Sequence, residues 1–199
     1  MNRTGRPVLV IVSGAPSAGK TTLGRTISAR LGLPFLSRDE LKEALGDELG
    51  APDDVPASQR LGQAAYRILF TVATRILEAG GGVVVESNFR RGLSESEIRP
   101  LLGLADARLV HCTAASPTVR ARYAERHERG DRHPVHLDVQ RADALADDLA
   151  SGRFEPLDLD IPTLVVATDD GYEPGLERVL AFLAADVHIA GGRAMVASS

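Results

Sequence analysis

Eight consecutive residues, Gly14, Ala15, Pro16, Ser17, Ala18, Gly19, Lys20 and Thr21, match the pattern G-x-x-x-x-G-K-[ST]. The residue types suit one chemistry. Glycines let the backbone curl until its N–H groups point inward at phosphate oxygens. A helix opening directly after the loop adds its positive end, and Thr22 carries the contact set into that helix. Lys20 can reach β- and γ-phosphates, and Thr21 offers a hydroxyl to Mg²⁺. The expected ligands are therefore a nucleoside triphosphate and Mg²⁺. The alternative is an ordinary Gly-rich turn, but this loop leaves a buried apolar strand and opens a helix.

Other chemistry-bearing residues fall where further strands end. Asp39 follows the second expected strand, and a carboxylate there can take the proton of an attacking hydroxyl. It could equally cap the helix that begins there, and the two roles are compatible. Arg38 precedes it. Glu86 ends the third strand, where an acid could hold the Mg²⁺ shell beside Thr21. Asn88 and Arg90 follow it and could touch an acceptor, or could lie in a solvated loop. Strand C-termini in such sheets face the ligand crevice. A third group holds Arg120, Arg122, Arg126, Arg129 and Arg132. Arg122, Arg126 and Arg129 share one helical face. So many guanidinium groups repel one another unless anions sit among them; the other reading is a solvated helix with pairs such as Glu125–Arg129.

These residues need a scaffold, and the pattern of the chain supplies one. Val8 to Ser13 reads as a strand buried on both faces. Further strands are expected at 34–37, 83–86, 107–113 and 163–167. Helices are expected at 19–31, 38–45, 58–78, 94–104, 117–129, 137–149 and 173–185, with a Gly/Pro/Asp-rich loop at 46–57. Strands alternating with helices predict an α/β three-layer sandwich, with a five-stranded, mostly parallel sheet. The reading is a single domain over 1–185, followed by a flexible, small-residue tail at 186–199.

Composition narrows the partners. The chain has 199 residues and a net charge of -4, which disfavours a nucleic-acid duplex as ligand. Aromatics are 4% with no tryptophan, so platforms for stacking bases are scarce. No apolar run is long enough to span a membrane, and no signal peptide is recognisable. One cysteine, Cys112, excludes an internal disulfide, and a cytoplasmic setting is expected. Cys112 and His111 lie in a central strand and read as core. His133, His136 and Asp138 have the spacing of metal ligands, but no cysteine stands nearby to complete a zinc site. The sequence does not decide the oligomeric state.

The loop, the segment LSRDELKEAL and the segment RHERGDRHPVH together resemble the small P-loop kinases. That group of AAA-type ATP-binding proteins includes chloramphenicol phosphotransferase, the zeta toxins, gluconate and shikimate kinases, and the kinase domain of polynucleotide kinase. The resemblance runs from about Pro7 to Leu183. It implies a nucleotide-kinase-like fold, ATP as donor, and Asp39 as base or substrate clamp. It also implies a helical lid over about 117–137, whose Arg126, Arg129 and Arg132 close on the phosphates. Lys42 matches the basic residue that holds the acceptor in the polynucleotide kinase pattern. Residues 168–172 match the place where adenine packs. Glu86 departs from the family, which more often has Asp there. The implied activity is transfer of the γ-phosphate to a hydroxyl of a small molecule such as an antibiotic or sugar. A nucleotide-sugar, nucleoside or polynucleotide kinase is the alternative, and a non-catalytic nucleotide switch is a third reading. A GTPase-type N-K-x-D motif is absent, because neither Lys20 nor Lys42 follows an Asn.

Overall fold

The computed structural model describes residues 5–128, 133–136, 147–148 and 151–185, with only the backbone described at 123 and 126–128. Five strands form the sheet: β1 Val8–Gly14, β2 Phe35–Ser37, β3 Val83–Glu86, β4 Asp106–Thr113 and β5 Thr163–Ala167. Their order is β2-β3-β1-β4-β5 and every pairing is parallel. All five strands therefore end at one edge. The chain lays β2 and β3 on one side of β1 and then β4 and β5 on the other. The crevice for a ligand lies at that switch, above β1.

β1 is buried along its whole length, and its side chains divide between two cores. Leu9 and Ile11 join Leu69, Ala73 and Leu77 of α3 (Val55–Glu78) and Ile98 of α4 (Glu95–Leu102). Val8, Val10 and Val12 face the opposite side. There they meet Leu23 and Ile27 of α1 (Lys20–Leu31) and Val179 and Leu183 of α6 (Leu176–Ala184). Each fully buried side chain of this size contributes about 1.5–3 kcal/mol, so the sandwich is held from both faces. The period of two along β1 and of four along α3 builds the three layers.

Several helix boundaries differ from the sequence expectation. α2 runs Arg38–Leu49, through Gly46, where a loop was expected. Gly46 does not stop the helix, because Val135 fills the space its side chain would take. α3 starts at Val55 rather than 58: Asp54 caps it by accepting from the Ala57 N–H at 2.7 Å, and Pro56 sits in its first turn. The last helix starts at Leu176, since Ala167 and Glu173 exchange backbone hydrogen bonds and hold 168–173 in a turn. α5 spans Ser116–Glu128, and Pro134–His136 forms a single 3₁₀ turn. The helix expected at 137–149 lies outside the described residues except for helical 147–148, and so does the tail at 186–199. Among the described residues no helix is long and apolar enough to cross a membrane.

Candidate functional site

The loop after β1 is shaped by steric necessity. Gly14 has φ 137°, and a Cβ there would overlap the carbonyl oxygen of Cys112 on β4. Ser17 at φ 61° and Gly19 at φ 75° curl the chain back, and Ser17 is the one non-glycine at positive φ among the described residues. The Ala18 N–H closes the turn on the Ala15 carbonyl at 3.2 Å. α1 then opens at Lys20 with no side-chain cap and no acid in its first turn. Its positive end is left to an anion. Lys20 is buried, and its ammonium donates to the Ala15 carbonyl at 2.7 Å, which keeps the charge at the loop.

The acid side of the site is built from β2, β3 and α2. Register pairs Ser37 with Glu86 and Val12 with Glu86, placing Glu86 beside the loop. Glu86 is 4% exposed. Its Oε2 accepts from Ser37 Oγ at 2.8 Å and from Thr21 Oγ1 at 3.4 Å. Burial pushes its carboxyl above the usual range; the Lys20 ammonium pulls it down and the Asp39 carboxylate pushes it up again. The two residues expected at a metal are thus in contact. A hydroxyl and a carboxylate, both oxygen donors, suit Mg²⁺.

Asp39 lies in the first turn of α2, not at its cap, which is Ser37. Ser37 spends its hydroxyl on Glu86 instead of on the helix. Arg38 is mostly buried, donates to Asp39 Oδ1 at 3.3 Å, and lies 5.1 Å above the ring of Tyr66. A Cβ at Gly62 would overlap the Arg38 guanidinium, so this glycine makes its seat. Tyr66 also accepts from Ser87 Oγ at 3.1 Å, which ties the residues after β3 to α3. Asn88 is half-buried between Ser87 and the fully buried Phe89. Arg90 pairs with Asp148 at 2.8 Å, and its N–H donates to Ser94 Oγ. Lys42 is fully buried, with its ammonium on Ser58 Oγ at 2.7 Å, so it does not line the open crevice.

On the other flank, the structure assigns Arg122 a use that its helical face did not suggest. Its guanidinium donates to the Thr168 carbonyl, to Thr168 Oγ1 at 3.2 Å and to the Asp169 carbonyl at 3.2 Å. Thr168 Oγ1 in turn lies 3.1 Å from the Ala18 carbonyl of the loop and 3.2 Å from the Thr113 carbonyl. Asp169 accepts from the Ala115 N–H at the start of α5. The Thr118 hydroxyl and then that N–H hold its carboxyl below the usual range. Arg126 lies on the α5 backbone; its side chain, and the whole of Arg129 and Arg132, fall outside the described residues. His111 and Cys112 are core. Burial, then Lys20, lowers His111 to about 4, and burial pushes the Cys112 thiol up to about 12. His133 pairs with Asp47 at 3.0 Å and His136 with Glu43 at 2.8 Å.

Ser37, Tyr66 and Ser58 were not singled out from the sequence, and Thr168 only as the start of the segment matched to the adenine site. Ser37 had a signal, since it ends the strand that leads to Asp39. Tyr66 and Ser58 are reached only through contacts distant along the chain.

Residues 9–149 match the family model described as an AAA domain. The chain belongs to the AAA domain family. This AAA-domain protein is also similar to shikimate kinase of Actinobacillus succinogenes, 26% identical over 165 residues, covering 81% of this chain and 86% of that enzyme. Among solved structures it is similar to a candidate kinase of Chloroflexus aurantiacus at 32% identity and a TM-score of 0.82, covering 92% of this chain and 100% of that one. It shares its fold with Kti12 of Chaetomium thermophilum, solved with ADP-AlF3, at 22% identity and a TM-score of 0.63, covering 92% and 100% of the two chains. With these relatives, the chain is a small P-loop kinase: an ATP-dependent enzyme with a hydroxyl acceptor.

Proposed function

We propose that this kinase phosphorylates a hydroxyl of a small polar metabolite, with Asp39 as the base. The observation that carries the reading is the convergence of Lys20, Thr21, Glu86 and Asp39 at one sheet edge, linked through Ser37. The acceptor oxygen attacks the γ-phosphorus in line. The bond to the β–γ bridging oxygen breaks, ADP leaves with that electron pair, and the hydroxyl proton passes to Asp39. Arg38 holds the Asp39 carboxylate in place, and Lys20 neutralises the β- and γ-phosphates. Thr21 and Glu86 are the residues that would hold Mg²⁺, which supplies charge neutralisation along the phosphates. Arg126, Arg129 and Arg132 are assigned to the charge that develops on transfer.

Asn88 and Arg90 are assigned to the acceptor side, since they follow Glu86 at the strand edge. The acceptor classes to try first are hydroxy acids such as shikimate, sugars and sugar acids, antibiotics, nucleosides and nucleotide sugars. The LSRDELKEAL and RHERGDRHPVH segments favour a place near the chloramphenicol phosphotransferase, zeta toxin and polynucleotide kinase-like group. Phosphorus NMR of each reaction with Mg·ATP tests the reading: a new phosphomonoester signal beside ADP supports it, and its absence across all classes counts against it.

A further inference from the structure

Lys42 lies one helical turn beyond Asp39, and a lysine there reads from sequence as an acceptor contact. In the fold its side chain has 0% exposure. An ammonium taken out of water costs several kcal/mol unless it is well paired. A well-packed apolar side chain of the same size is often as stable or more so, so the charge is better explained by geometry than by stability. Its surroundings define that geometry. Lys42 Nζ donates to Ser58 Oγ at 2.7 Å, and Ser58 Oγ donates to the Val135 carbonyl at 2.7 Å. One chain of hydrogen bonds thus joins α2, α3 and the turn at Pro134–His136.

Three more contacts repeat the connection. Glu43 pairs with the buried His136 at 2.8 Å. Val135, fully buried, packs where a Cβ at Gly46 would lie 2.8 Å from its Cγ2. Asp47 pairs with His133 at 3.0 Å. Positions 42, 43, 46 and 47 form one helical face, and residues 133–136 cover it. At the other end of α2, Arg38 is seated on Gly62 and Tyr66 of α3. The helix that carries Asp39 is therefore gripped along its length.

We propose that Lys42, Ser58 and His136 are positioning residues that fix the angle of α2, and through it the Asp39 carboxylate. The proposal rests on Asp39 acting as the base. Lys42 stands three residues, or about 4.5 Å, along the helix from Asp39, so a small tilt at Lys42 moves the carboxylate. A misplacement of about 1 Å in a reacting group can cost about a hundredfold in rate. Hydrogen bonds resist such a tilt where an apolar contact of the same area would let the helix slide.

Amide hydrogen exchange on the full-length protein tests the grip without any acceptor. Lys42→Met keeps the volume and removes the charge, and Ser58→Ala cuts the chain at its middle. Both variants are expected to exchange faster over residues 38–49 and unchanged over residues 8–14. Unchanged exchange over 38–49 in Lys42→Met overturns the proposal, even if Ser58→Ala, which takes one hydrogen-bond partner from a buried ammonium, fails to fold. ADP release from Mg·ATP, with water and with each hydroxyl class above as acceptor, gives the functional split. Lys42→Met is expected to lower kcat about tenfold or more with KM for Mg·ATP within about twofold. A raised KM for one acceptor alone, with kcat intact and Ser58→Ala silent, makes Lys42 an acceptor contact and overturns the proposal. Should exchange respond as expected while no hydroxyl is phosphorylated, the kinase reading fails and the grip on α2 stands.

Discussion

The Thr21 hydroxyl lies 3.4 Å from Glu86 Oε2, joining the first turn of α1 to the end of β3. Sixty-five residues separate them in sequence, and the parallel register of β1 with β3 brings them together. Ser37 reaches the same oxygen at 2.8 Å from β2. Three strand or helix ends thus share one buried carboxylate. This is where charge can be held beside the phosphates, and burial strains the carboxyl towards its protonated form.

That strain has a pH signature. Burial raises the Glu86 carboxyl above its ordinary 4.5, so the folded chain holds this proton where the unfolded chain has lost it. The contribution to stability is fully present below 4.5 and is lost as the pH rises through the raised value. Glu86→Gln removes the loss. Its melting temperature at neutral pH is expected to exceed that of the wild type, with the gap closing on acidification. Its turnover is expected to fall at least about tenfold, with a higher Mg²⁺ requirement. Thermal melts across pH and a Mg²⁺ titration of ADP release check both parts.

His111 has the opposite sign. It is buried and lowered to about 4 from an ordinary 6.5, chiefly by burial and then by Lys20. Its folded value lies below its unfolded one, so the folded chain resists taking up this proton. The associated stability is fully present above 6.5 and is lost as the pH falls towards 4, by roughly 3 kcal/mol at most. His111→Leu is expected to flatten that acid limb. Chemical denaturation of the variant and the wild type between neutral pH and pH 4 measures the difference.

The backbone at Gly14 allows one residue type. Gly14→Ala would drive a methyl into the Cys112 carbonyl at a φ of 137°. The expected cost is about 1–3 kcal/mol from backbone conformation alone, more from the overlap, and nucleotide binding is lost. Gly80→Ala is the control: φ is 81°, but nothing lies within 4 Å of the new carbon. It is expected to destabilise by only about 1 kcal/mol and to leave nucleotide binding intact. Melts and calorimetry with Mg·ADP distinguish the two.

Arg122 and Thr168 bind the loop after β5 to the phosphate loop and to α5. Arg122→Ala removes three donor contacts and Thr168→Val removes the hydroxyl that accepts one of them. Each is expected to weaken Mg·ADP binding about tenfold, the scale of one lost charged hydrogen bond. Because both act on one network, the double variant is expected to lose less than the product of the single losses. Calorimetric titration of the four proteins forms that cycle.

The residues of the phosphate loop were legible because the chemistry is local: every part of it lies within Gly14–Thr22. Asp39 and Glu86 were legible because parallel strands end at a common edge, so position along a strand predicts proximity to the loop. What lay hidden was decided by contacts far apart in the chain. Lys42 reads as an acceptor contact until Ser58 and residues 133–136 close over it. Gly46 reads as a helix stop until Val135 takes up its missing side chain. By sequence spacing alone Arg122 reads as sharing a helical face with Arg126 and Arg129, yet its guanidinium is committed to Thr168 and Asp169. Helical spacing fixes which residues are neighbours on a surface, but not what that surface meets.

The most direct test of the account is acceptor-dependent ADP release by wild type and by Asp39→Asn, run across hydroxy acids, sugars, antibiotics, nucleosides and nucleotide sugars. The expected result is a large rise with one acceptor class in the wild type. In Asp39→Asn that rise falls about 10²- to 10⁴-fold while the affinity for Mg·ATP is kept. Wild-type turnover by Asp39→Asn on the same acceptor would contradict the assignment of Asp39 as the base.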